Sequence, residues 1–159
     1  MIVSRVALLC LVGMALPLAG CTVASVKPLG ARTAALEVEL RGKPSDMDGL
    51  IAKYAALYEM PESLIRRIIV RESGYNPKAR NGPYWGLMQI RHDTAKSMGY
   101  RGQASGLLDA ETNLKYGVKY LAGAYLVANR NSDKAVRNYA RGYYYDARRM
   151  GLLEEVGLN

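Results

Sequence analysis

The stretch Arg71–Arg91 reads RESGYNPKARNGPYWGLMQIR, and its first half decides how the chain is read. Ile65, Ile68, Ile69 and Glu72 fall at i, i+3, i+4 and i+7, so a carboxylic acid shares one helical face with three isoleucines. Gly74 stops that helix, which puts Glu72 in the last turn, where the negative end of the helix dipole disfavours an anion. Partial burial and the dipole both raise a carboxyl pKa, the setting of an acid that donates a proton near neutral pH. A surface Glu paired with Arg66, Arg67 or Arg71 has the same spacing, and spacing alone leaves both readings open. Downstream, Asn76-Pro77 imposes an extended exit, and Asn81-Gly82-Pro83 makes a turn before the only Trp, Trp85.

Working outward, Pro61 suits the first turn of the helix that carries Glu72, with Glu62 beside it. Before it, Ser45 and Asp48 form a capping-box pattern, followed by Met47, Leu50, Ile51, Tyr54 and Tyr58 at helical spacing. After the loop, Asp93 is placed to cap a short helix up to Gly99. A longer helix is predicted from Asp109 to Ala128, with Leu114, Val118, Leu121 and Tyr125 on one face. Ser132 is placed to cap a helix through Ala140, Gly142 breaks it, and a last turn or two covers Tyr144–Met150. No long period-2 run argues for a substantial sheet, so the class is all-α, or mainly α.

The 159 residues suffice for one domain, half of them hydrophobic, with 12 Tyr and no Phe. Tyr pairs apolar bulk with a polar tip, which suits a groove that stacks on its ligand and hydrogen-bonds to it. The formal charge of +8 points to an anionic partner without naming one. Lys and Arg are scattered and no nucleic-acid motif accompanies them, so no nucleic acid is expected. His92 is the only His, with no Cys or acidic cluster at ligand spacing, so no metal and no cofactor is expected.

The N-terminus reads MIVSRVALLCLVGMALPLAGC: Arg5, an apolar run from Val6 to Leu18, then small residues. This is the order of a secretory signal, too short for a membrane span. Leu18-Ala19-Gly20-Cys21 matches a bacterial lipobox, in which Cys21 is acylated and becomes the mature N-terminus. The expected organisation is therefore a lipoprotein signal peptide over 1–20, a tether over 21–44 and a folded domain over 45–159. The tether holds a short helical piece near Ala34–Leu40. Cys10 leaves with the signal, so Cys21 has no partner for a disulfide and the fold rests on packing. Loss of Arg5 takes the formal charge from +8 to +7.

Glu72-Ser73, Asn76-Pro77, Ala79 and Gly86-Leu87-Met88-Gln89-Ile90, with Thr94-Ala95 after them, resemble the signature of the bacterial lytic transglycosylases with a goose-lysozyme-like catalytic domain. Asn113, Gly117 and Tyr120-Leu121 resemble that family's second block, and Tyr139 with Gly142 its Tyr-Asn-Ala-Gly block. The likeness runs from about Ser45 to Met150. Departures are the Ala140-Arg141 pair in place of Asn-Ala, Arg91-His92 in place of Met-Pro, Asn81 near the place of a family Ser, and a loop about one residue short.

The resemblance implies a lysozyme-like fold with a substrate groove that binds peptidoglycan glycan strands. It also implies cleavage of the β-1,4 bond between N-acetylmuramic acid and N-acetylglucosamine. Glu72 protonates the glycosidic oxygen and then takes the proton of the muramoyl C6 hydroxyl, closing a 1,6-anhydro ring. The sugar's own N-acetyl group makes a second carboxylate unnecessary, and Asp93, Asp109 and Glu111 read as helix caps. Ser73, Asn81, Met88, Gln89 and Tyr139 are the implied substrate contacts, with Ser73 either orienting Glu72 or only bonding backbone. Trp85 either floors a sugar subsite or seals the core, and the Tyr143–Tyr145 cluster reads as packing. The alternatives are a muramidase of the same fold, which uses water, and a non-catalytic peptidoglycan-binding lipoprotein. The expected location is the cell envelope, at a membrane through the lipid anchor and facing the periplasm. Thr22 after Cys21 tilts this to the outer membrane, within reach of cell-envelope machinery.

Overall fold

The computed structural model of the protein describes residues 46–158. The signal peptide, Cys10, Cys21, the tether and Ser45 lie outside them. Helix α1 spans Met47–Leu57, and its cap is Asp46, whose carboxylate accepts from the Gly49 N–H. Asp48, the acid of the expected capping box, instead pairs with Arg66 at 2.6 Å. Helix α2 spans Glu62–Ser73, one residue later than expected, because Pro61 is the cap residue with extended backbone. Leu64, Ile65, Ile68 and Ile69 are buried on its inner face, each stabilising the fold by about 2 kcal/mol. Gly74 ends it at φ 58°, its N–H donating to the Ile69 and Val70 carbonyls.

The loop after α2 holds a small antiparallel sheet in the order β1-β2-β3, made of Arg80–Asn81, Tyr84–Trp85 and Ile90–Arg91. Arg80 faces Trp85 and Asn81 faces Tyr84, so Gly82-Pro83 form the expected turn. Two-residue strands leave no period-2 signal in a sequence, which is why the sheet was not foreseen. Helix α3 spans His92–Ser97 with Arg91 as its cap residue. Asp93, the expected cap, lies in the first turn, 3.8 Å from both Arg91 and Lys96. A 3-10 turn over Ala104–Leu108, also unforeseen, leads into α4, Ala110–Val127. Here the expected cap holds: the Asp109 carboxylate accepts from Thr112 N at 2.8 Å. Glu111 instead reaches Lys53 at 2.9 Å.

Helix α5 is Ser132–Arg141, capped by Asn131 and not by Ser132. Helices α6, Tyr144–Arg149, and α7, Leu153–Val156, complete the described chain. Helix α4 is the centre of the fold, packing on α1, α5, α7, α3 and the 3-10 turn. Leu114, Val118 and Leu121 are fully enclosed in the main helical core. A second, smaller core of Ile90, Ala95, Tyr100 and Leu107 lies under the sheet, with Trp85 against it. Tyr120 packs on both cores. Among the described residues, no helix is long and apolar enough to cross a membrane.

Candidate active site

Glu72 is half-buried, with 23 % of its side chain exposed. Burial raises its pKa, and the Arg71 guanidinium, with Nε 3.6 Å from Oε1, pulls it back only in part. The other two arginines are engaged elsewhere. Arg66 bonds Asp48 and Glu62, and Arg67 bonds Asp133 at 2.6 Å. Of the three candidate partners, only Arg71 remains beside the acid.

Ser73 ties the end of α2 to the next block. Its hydroxyl lies 2.7 Å from the Leu87 carbonyl and 3.3 Å from that of Ile69, so it bonds backbone, the second of its two expected roles. The Gly86–Ile90 segment is then held by Asn113 of α4. Asn113 is fully buried, accepts from Met88 N at 2.8 Å, and donates to the carbonyls of Trp85 and Leu107 at 2.8 and 2.7 Å. All three of those bonds are long-range or loop contacts that no local periodicity encodes. Gly86 has φ 68°, and a Cβ there would meet Asn113 Nδ2 and the Leu107 carbonyl at 2.3 Å. One turn along α4 from Asn113, Gly117 makes room for Met88, whose sulfur would lie 2.7 Å from an added Cβ.

Met88 is therefore a core residue, 0 % exposed. Its enclosed side chain offers no direct substrate contact, contrary to the expectation, but its carbonyl accepts the Tyr139 hydroxyl at 2.8 Å. Tyr139 is 8 % exposed. Its pKa stands well above the ordinary phenol value, first through burial and then through the charge of Glu72. Tyr139 thus lies within electrostatic range of the acid. Gln89 adopts φ 47°, a left-handed backbone, and its Nε2 donates to the carbonyls of Gly86 and Ala79. Both amide hydrogens are used, so Gln89 offers a sugar only its Oε1 acceptor.

Around these residues lies a cleft of about 290 Å³ where the two cores meet. Tyr84, Gln89, Ile90 and Thr94 line one side, and Tyr120, Tyr139, Arg141 and Gly142 the other. Glu72 does not itself line it; its charge acts on Tyr139, which does. Asn81 sits exposed in β1, opposite Tyr84. Trp85 lies between its two expected roles, with the Arg80 guanidinium 4.2 Å from its ring. Tyr143 packs inside, its hydroxyl donating to the Tyr120 carbonyl, whereas Tyr144 and Tyr145 are exposed and not core as expected. Among the described residues, no three His, Cys or acidic side chains gather as metal ligands do.

Two comparisons bear on this arrangement. A family model described as the transglycosylase SLT domain matches residues 49–151. The chain is similar to peptidoglycan transglycosylase gp16 of Escherichia phage T7, with 36% identity over 106 residues, covering 62% of this chain and 8% of that protein. It is 39% identical over 101 residues to membrane-bound lytic murein transglycosylase F of Shewanella woodyi, covering 56% of this chain and 19% of the relative. It is also 38% identical over 102 residues to membrane-bound lytic murein transglycosylase C of Yersinia pestis, covering 57% and 28%. The chain thus spans less than a third of the length of these curated relatives. No solved structure matches it significantly.

Proposed function

The chain belongs to the transglycosylase SLT domain family, and from that premise we propose that it is a peptidoglycan lytic transglycosylase with Glu72 as its acid. The carrying observation is the half-buried carboxyl of Glu72, raised in pKa by burial and within electrostatic range of Tyr139, which bonds the tied Gly86–Ile90 segment. In this reading Glu72 gives its proton to the glycosidic oxygen as the bond from C1 of the muramoyl residue breaks. The sugar's N-acetyl oxygen stabilises the cationic carbon. The resulting carboxylate, with Arg71 alongside, accepts the C6 hydroxyl proton as that oxygen bonds to C1 and closes the 1,6-anhydro ring. Gln89 Oε1 and the rims of the cleft position the strand, with Asn81 at its edge. Met88 and Ser73 hold the loop that carries Gln89.

The names of two relatives include "membrane-bound". With the lipobox at Leu18–Cys21, this supports an envelope location with Cys21 acylated at the end of a 1–20 leader and 21–44 as tether. A periplasmic placement at the outer membrane, near envelope machinery, is part of the same proposal.

Mass spectrometry of digested peptidoglycan tests the reaction. Anhydro-muramoyl ends are expected, and Glu72→Gln should lower their formation by roughly 10²–10⁴-fold. Reducing muramoyl ends in their place would make the protein a muramidase. Wall binding without any cleavage would make it a non-catalytic lipoprotein.

A further inference from the structure

A second cavity, of about 450 Å³, opens between the C-terminal end of α4 and helices α5 and α6. Lys134, Arg137 and Arg141 line it as an exposed i, i+3, i+7 stripe of α5, and Arg149 of α6 completes the ring. The one acid in the wall is Asp146, and both Arg141 and Arg149 bond to it. Asp133, whose pKa is lowered by Arg67 and also by Arg137, is hydrogen-bonded by Arg67. Four cations against one carboxylate leave the lining net positive, with Asp133 outside it acting on Arg137, over an apolar floor that includes Val127 and Met150. Arg141 lines the active-site cleft as well, so the two cavities meet at one residue.

We propose that this basic cavity is a subsite for the carboxylate-bearing peptide substituent of the glycan strand, entered from the cleft past Arg141. The inference rests on the reading of the cleft as a glycan groove. Muramoyl residues carry short peptides with free carboxylates, and a planar guanidinium fork matches a carboxylate. The apolar floor accommodates the aliphatic part of such a peptide. A phospholipid surface fits less well, since docking there would turn the adjoining cleft toward lipid and away from the wall. The cations are exposed, so each contact is modest and salt weakens it.

The test uses the full chain with Glu72→Gln, to hold strands uncleaved. Its binding is measured to glycan strands bearing their peptides and to strands stripped of them by an amidase. Tighter binding to the peptide-bearing strands is expected, by roughly three- to tenfold. The ratio should fall toward one in Lys134→Ala/Arg137→Ala, and Arg137→Lys, which keeps the charge but loses the fork, should lower it less than the double substitution. Equal affinity for the two strand types, or a ratio unchanged by the double substitution, overturns the subsite and leaves the groove reading standing. Failure to bind either strand overturns both. Binding to phosphatidylglycerol vesicles that the double substitution abolishes, with no preference between strands, overturns the proposal in favour of a lipid-facing surface.

Discussion

The role proposed for Glu72 sets two demands on one side chain, burial that raises its pKa and exposure that lets it reach a substrate. The side chain is half-buried, with 23 % exposed. Because burial raises its pKa, the folded state binds its proton more tightly than the unfolded chain does. Below the ordinary value of 4.5 the group is neutral in both states and costs nothing. As pH rises through the raised folded value, the ionised acid destabilises the fold. Glu72→Gln is thus expected to raise Tm at pH 7–8, with the gap closing as pH falls toward 4, in thermal melts across that range. A lower Tm for Glu72→Gln at pH 7–8, with the deficit closing toward acid, would mean an ordinary salt-bridged surface Glu. The general acid must start protonated, so kcat/KM should fall on the alkaline side with the Glu72 pKa. Removing the cation in Arg71→Ala should move that limb to higher pH, read from a pH–rate profile. The sequence left three arginines as partners for Glu72. Only their tertiary pairing with Asp48, Glu62 and Asp133 singled out Arg71.

At the scale of elements, the site is a loop fastened to a helix. Helix α4 presents Asn113 and Gly117 one turn apart, the first bonding the backbone of the Trp85–Met88 turn and the second admitting the Met88 side chain. Asn113→Ala strands one N–H and two carbonyls in a buried place, at a cost of about 2–4 kcal/mol in urea unfolding. Gly117→Ala crowds Met88, whose side chain can shift, and should cost about 1–3 kcal/mol. Gly86→Ala combines a left-handed φ with backbone collision at Leu107, and a loss of about 3 kcal/mol or more is expected. If Gly86→Ala proved milder than Gly117→Ala, the loop would not be held as described. The residues of this clasp were readable as a pattern, since Asn113 and Gly117 stand in the second family-like block. Their bonding was not, because it joins positions up to 28 apart in the chain.

For the whole molecule, the two cores and the cleft between them all lie within the described residues, and Tyr120 touches both cores. A chain lacking residues 1–44 is therefore expected to unfold cooperatively and to cleave isolated strands as the full chain does. The proposed lipid anchor is a separate matter of location. Cys21→Ser should move the protein from the membrane to the soluble fraction on cell fractionation, leaving strand cleavage in lysates intact. Recovery in the membrane fraction despite Cys21→Ser would remove the lipid anchor from the proposal.

By itself, the sequence determined what local chemistry decides. The 3.6-residue spacing of Ile65, Ile68, Ile69 and Glu72 fixed the helix and its buried face. Asp109 capped its helix, and the left-handed Gly74 ended another, because caps and stops act within a few residues. Ser45 and Ser132 were weaker guides, since the neighbouring Asp46 and Asn131 take the cap positions. Asp93 falls within the first turn of a helix whose cap residue, Arg91, makes no side-chain cap bond. Tertiary structure alone decided where polar groups spend their hydrogen bonds. It turned Met88 inward under Gly117, occupied both Gln89 amide hydrogens, gave the Tyr139 hydroxyl to the Met88 carbonyl and set Arg141 between two cavities. Those outcomes rest on buried donors and acceptors finding partners across the fold, and such pairing leaves no period in the chain.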